Sequence, residues 1–186
     1  MSRRAPELLV GVTSWNSATL LPTCLDAMRR TKAGAGARLV VVDNMSADDS
    51  VDIAQGYGAE VIRRPCSQPS ALQQLAGMSR SPRTLLMPAN VVPLHPDWFE
   101  VCASALRGAT ALVSPEDIGC GPWTRPFGRG MPESSFLLWD TAGLRRISHW
   151  LLLRFGRFRR PRRKFPFHGA HITHHVPMHL TVRGYT

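Results

Sequence analysis

Acidic residues are missing from the last quarter of this sequence: all 13 lie at or before Asp140. From Arg145 to Lys164, by contrast, nine residues are basic. A stretch with cations and no anions cannot neutralise itself. It points to an anionic partner: phosphate, acidic glycan, membrane surface or nucleic acid. Cysteine is sparse too. The four residues Cys24, Cys66, Cys102 and Cys120 form no Cys-x-x-Cys pair. That argues against a cysteine-built zinc site and fits a reducing compartment. No apolar run approaches the roughly 20 residues of a membrane span. The start, MSRRAPELLV, is basic, but its apolar run is too short for a signal peptide. The expected location is cytoplasmic, peripheral to the inner face of a membrane. No internal repeat is evident.

What is present is enough apolar material for one core. The chain has 186 residues, 44% of them hydrophobic, which suits a single domain rather than two. Short apolar runs alternate with helical periodicity. Strands are expected over 7–12, 38–42, 60–63 and 84–87. Helices are expected over 20–30, from a cap at Ser46 to about Gly56, over 70–79, and after Pro96. The last of these should bury Trp98, Val101, Cys102 and Ala105. Further strands are expected at 111–114 and 135–139, separated by a loop over 119–130. This alternation predicts an α/β fold: a mostly parallel sheet flanked by helices.

In such sheets the ligand sits beyond the carboxyl ends of the strands. Three polar clusters fall there: Thr13-Ser14-Trp15-Asn16, Asp43-Asn44-Met45-Ser46 and Pro88-Ala89-Asn90. Their shared edge is the main pointer to a site that the residues themselves give.

The pieces LLVGVTSWNSATLLPTCLDAM, LVVVDNMSADDS and TLLMPANVVPLHPDWFE, in this order and spacing, resemble family-2 glycosyltransferases of the GT-A fold. The resemblance implies a nucleotide-sugar-binding domain over 1–144, with 145–186 as a basic, His-rich segment packed on it. It implies transfer of a sugar from a nucleoside-diphosphate donor, often UDP-linked, to a glycan or lipid-linked acceptor. Ser14, Trp15 and Asn16 would line the donor pocket, and Asp43 would accept a hydrogen bond from the base. The alternative is a catalytically inactive relative that binds or scaffolds.

The departures are specific. The family ends its fourth strand with Asp-x-Asp, whose carboxylates hold Mg²⁺ or Mn²⁺ against the diphosphate. Here Pro88-Ala89-Asn90 stands at that place. Only Asn90 offers a ligand, a neutral one, with His179 as a late additional ligand. The family's catalytic base is an Asp or Glu after the metal motif. Glu133 and Asp140 are the candidates carried from that position, although Asp140 also reads as a helix cap. A histidine base is a further option.

The tract RRISHWLLLRFGRFRRPRRKF keeps several readings open. It suits a solvated basic face, contact with anionic lipid through Trp150, Phe155 and Phe158, or an arginine clamp on the diphosphate. No nucleic-acid partner is expected. Gly156 and Pro161 argue against one continuous helix. Among the late histidines, His171 and His175 would share a face on a helix or a strand alike.

Overall fold

A computed structural model describes residues 6–106, 112–114 and 135–145. Among them the order is β1 (Leu8–Ser14), α1 (Leu21–Arg29), α2 (Lys32–Ala35), β2 (Arg38–Asp43), α3 (Ser50–Gly56), β3 (Glu60–Arg63), α4 (Gln68–Met78), β4 (Arg83–Pro88), α5 (Trp98–Ala105), β5 (Leu112–Val113) and β6 (Leu137–Asp140). The strands form one sheet in the order β3-β2-β1-β4-β6-β5. β1 pairs in parallel with both β2 and β4, and β2 with β3. β6 runs antiparallel to β4 and to β5. The fold is therefore the mostly parallel, helix-flanked sheet that the alternation predicts.

Strand pleat sorts the core into two layers, because alternate residues face opposite sides. One face carries Leu8, Val10, Val12, Leu39 and Val41, with Leu21, Cys24, Leu25 and Met28 of α1, Ala54 of α3, and Trp98 and Phe99 of α5. The other carries Leu9, Val40, Val42 and Leu86, packed by Ala71, Leu72, Leu75 and Ala76 of α4. Gly11 lets α4 approach the sheet. A Cβ there would lie 3.1 Å from Leu75 Cβ. Trp98 packs edge-on against Phe136, with ring centroids 5.4 Å apart. Burial pushes the Cys24 thiol up to about 12, so it serves as a small core hydrophobe rather than a nucleophile.

Three local expectations change. Ser46 does not cap α3, which begins four residues later at Ser50. Its hydroxyl is engaged by Asp43 and Asn16 instead. α5 buries Trp98 and Phe99 and half-buries Cys102, while Val101 is 62% exposed. The helix starts at Trp98 itself, so its inward stripe runs through 98, 99, 102 and the following Leu106. α2 is an element the periodicity does not predict: Thr31 caps it by accepting from Gly34 N–H at 3.0 Å. No helix among the described residues is long and apolar enough to cross a membrane.

Candidate donor-binding cleft

The sheet order reverses at β1: the chain proceeds outward through β2 and β3, then returns to place β4 on the other side. The crevice beyond the ends of β1 and β4 is where such a sheet leaves room for a ligand. A cleft of about 460 Å³ lies there. Thr13 to Ser17 and Leu20 line it from the β1 side, Val42 and Asn44 from β2, and Pro88 to Asn90 from β4. Cys66, Ser67, Gln68 and Ala71 close it from the start of α4. All of these lining residues are uncharged.

The β1 and β2 loops are stitched together by hydrogen bonds. Asn16 N–H donates to Ser46 Oγ at 2.8 Å, and Ala47 N–H donates to Asn16 Oδ1 at 2.8 Å. Ser17 N–H donates to Ser50 Oγ at 2.8 Å, and Ala18 N–H to Asp48 Oδ2 at 2.9 Å. Asn16 and Met45 both hold positive φ, 45° and 57°, a conformation asparagine tolerates better than most residues. The Asp48 carboxyl is held below its ordinary range, first by the Ser50 hydroxyl and then by Ala18 N–H. The upper wall of the cleft is thus a fixed pair of loops on a rigid sheet.

A model of glycosyl transferase family 2 matches residues 9–168. The chain belongs to this family. Solved structures agree on the fold. A mannosyltransferase from Pyrobaculum calidifontis, solved with GDP-Man and Mn²⁺, superposes with TM-score 0.69 at 14% identity, over 98% of this chain and 54% of that one. TarS 1–349 of S. aureus gives 0.58 at 15% identity, over 75% and 48%. Glucosyl-3-phosphoglycerate synthase of M. tuberculosis gives 0.57 at 15% identity, over 95% and 80%. The chain spans about half the length of the first two. No curated protein sequence matches it.

Within this glycosyl transferase family 2 domain, Ser14, Trp15, Asn16 and Asn90 all line the cleft. Trp15 is 64% exposed at the rim. Ser14 is buried, and its hydroxyl has no partner among the described residues. Asp43 is adjacent but turned away. It is 1% exposed and is absent from the lining. Its Oδ2 accepts from Ser46 N–H at 2.8 Å and its Oδ1 from Ser46 Oγ at 2.5 Å. Arg63 Nε lies 3.9 Å from Oδ2. Pleat parity is the reason: Asp43 belongs to the face of Leu39 and Val41, whereas Val42 and Asn44 belong to the α4 face that borders the cleft. At the end of β2 it is Asn44, the neighbour of Asp43, that lines the cleft.

Asp140 lies at the other end of the sheet. It sits opposite Arg83, the first residue of β4, while the cleft begins at Pro88, the last. Its Oδ1 pairs with Arg83 Nη1 at 2.8 Å, and its Oδ2 accepts from Gly143 N–H at 3.1 Å. It is a helix cap and an ion-pair partner, some five strand residues, ~17 Å, from the cleft. Glu133 and His179 lie outside the described residues, as do the basic tract beyond Arg145 and the late histidines.

The described lining does not suit a hard divalent cation: Asn90 and Asn44 offer neutral amide oxygens, Pro88 and Ala89 offer no side-chain donor, and none of the described lining residues is a carboxylate. Among the described residues no group of three or more His, Cys, Asp or Glu could hold a metal.

Sequence reading placed Asn44 in the β2 cluster without giving it a part in the site, and passed over Cys66, Ser67 and Gln68. The run Leu39–Val42 is apolar on both faces, so it does not tell whether Asp43 or Asn44 meets the cleft. Nothing local marks the start of α4 as a cleft wall.

Proposed function

We propose that this domain binds a nucleoside-diphosphate sugar in the cleft and passes the sugar to a glycan or lipid-linked acceptor by direct displacement. The observation that carries the reading is the convergence of the ends of β1, β2 and β4 on one cleft at the point where strand order reverses. Trp15 offers a stacking surface at the rim. Ser14, Asn16, Asn44 and Ser67 offer neutral hydrogen-bonding groups. With Asp140 at the far edge, Glu133 is the carboxylate we retain as the base that takes the acceptor hydroxyl's proton.

The described walls of the cleft are uncharged and give the diphosphate no counter-charge. We assign that task to arginines of the 145–164 tract rather than to a metal held by Asn90 and His179. The same tract is proposed to rest on an anionic membrane surface, close to a lipid-linked acceptor.

Calorimetric titration of the full chain with UDP-, GDP-, CDP-, ADP- and dTDP-sugars tests the donor site, with and without EDTA. Binding of at least one, unaltered by EDTA, is expected. Binding of none would remove the reading. The absence of charge from the described cleft walls also favours a second reading, a non-catalytic binding module. Sugar release from the bound donor, lost on Glu133→Gln, would exclude it.

A further inference from the structure

A second cavity, of about 340 Å³, lies where β4 begins, at the opposite end of that strand from the donor cleft. Arg80, Arg83 and Arg145 line it, and Asp140 is the one carboxylate among its described lining residues. That carboxylate is already engaged. Its Oδ1 pairs with Arg83 Nη1 at 2.8 Å, and its Oδ2 accepts from Gly143 N–H at 3.1 Å. Arg80 and Arg145 form no ion pair with any described residue. The described walls thus set three positive charges against one negative.

The chain itself brings the two unpaired guanidiniums together. α4 ends at Met78, and the last carbonyls of a helix lack partners within it. Arg80 Nη1 donates to the Gly77 carbonyl at 3.3 Å and to the Ser79 carbonyl at 3.1 Å. Arg145 Nη2 donates to the same Ser79 carbonyl. Two nitrogens on one acceptor lie within about 6 Å of each other, since each bond spans about 3 Å. One cation is enough to satisfy the end of the helix. The second adds a like-charge repulsion that water weakens but does not reverse. The shared carbonyl is anchored from below: Ser79 Oγ accepts from Thr84 Oγ1 at 2.6 Å, and Thr84 Oγ1 meets Thr141 Oγ1 at 2.7 Å, all three residues being buried. A guanidinium carries five N–H donors. Arg80 and Arg83 bond through Nη1 and Arg145 through Nη2, so the other terminal nitrogen and Nε of each have no partner among the described residues.

We propose that this cavity binds a terminal phosphate group. Such a group carries close to two negative charges at neutral pH, which matches the excess of the walls. Chloride or a carboxylate would leave one charge unmatched. The free guanidinium forks suit phosphate oxygens, to which arginine makes parallel, charge-assisted hydrogen bonds. The site is separate from the donor cleft and does not rest on the donor reading. Arg145, the first residue of the basic tract, is committed to this end of the sheet and not to the cleft.

Inorganic phosphate would be titrated calorimetrically into the full chain at constant ionic strength, with chloride as the balancing ion. The wild type, Arg80→Gln and the double variant Arg80→Gln/Arg145→Gln would be compared, with melting temperatures to report folding. Arg80→Gln leaves Arg145 on the Ser79 carbonyl, so it keeps the test open if the double variant does not fold. Saturable binding by the wild type is expected, weakened roughly fivefold in Arg80→Gln and roughly tenfold or more in the double variant. A phosphate group reaches the cavity either free or on a lipid headgroup. Vesicles containing phosphatidic acid, a monoester, against phosphatidylglycerol, a diester, separate the two sources. A headgroup source gives a preference for phosphatidic acid that Arg80→Gln removes. A free source gives vesicle binding that Arg80→Gln leaves unchanged. Absence of phosphate binding in both forms overturns the proposal, as does binding in both that folded Arg80→Gln leaves unaltered.

Discussion

Asp43 and Ser46 form a closed pair: the carboxylate accepts from both the backbone N–H and the hydroxyl of the same serine, at 2.8 and 2.5 Å. The serine hydroxyl in turn accepts from Asn16 N–H at 2.8 Å. One buried carboxylate thus fixes the β2 loop and, through it, the β1 loop above the cleft. Asp43→Asn places an NH₂ where one of these bonds needs an acceptor. A loss of about 1–3 kcal/mol in stability is expected, read from urea unfolding midpoints. Affinity should fall equally for all nucleotides, because the residue shapes the wall and does not read the base. A selective loss of one nucleotide would contradict this.

Asp48 gives the same stitching a pH dependence. Its folded pKa is depressed by the Ser50 hydroxyl and Ala18 N–H. A depressed carboxyl contributes stability above its unfolded pKa and loses it as pH falls through the folded value. Amide exchange at Ala18 and Ser50 should therefore accelerate as pH drops below the ordinary aspartate range, after correction for intrinsic rates. In Asp48→Asn that acid-dependent component should vanish.

Trp15 stands on the rim, largely exposed, so its ring is available to a ligand at little cost to the fold. Stacking of a base on an aromatic ring contributes about 1–3 kcal/mol. Trp15→Ala should weaken nucleotide binding roughly tenfold, with the melting temperature unchanged. Unaltered affinity would place the base elsewhere.

Asp140 and Glu133 should separate cleanly. Asp140→Asn is expected to leave donor affinity and turnover intact. Its partly exposed pair with Arg83 and its cap to Gly143 should together cost about 1 kcal/mol. Glu133→Gln should lower turnover at least ~100-fold while leaving donor affinity unchanged. The reverse pattern would return Asp140 to the chemistry.

Replacing Arg159, Arg160, Arg162 and Arg163 by glutamine tests the basic tract. Flotation with vesicles containing anionic lipid should be lost, by about 1 kcal/mol for each charge removed near the surface. Donor affinity should fall as well if the same arginines face the diphosphate. Intact flotation would leave the tract as a solvated face.

The sequence alone determined the layered α/β fold and the edge on which the polar loops gather. Both follow from local rules: apolar runs make buried parallel strands, periodic stretches make covering helices, and polar residues collect where strands end. Leu21, Cys24, Leu25 and Met28 of α1, and Leu72, Leu75 and Ala76 of α4, were legible in this way. Ser14, Trp15, Asn16 and Asn90 were legible by position too, and the structure sets all four around one cleft. The tertiary structure decided which polar residue at the end of β2 faces that cleft. Pleat parity leaves no trace in a strand that is apolar on both faces, because Leu39, Val40, Val41 and Val42 look alike whichever way each points. Only the packing of α1 and α3 on one side and α4 on the other turns Asp43 inward to Ser46 and leaves Asn44 at the cleft. Likewise, the local sequence of Asp140 left both a helix cap and a catalytic carboxylate open. Its antiparallel pairing with β4 carries it to Arg83, at the opposite end of that strand from the cleft.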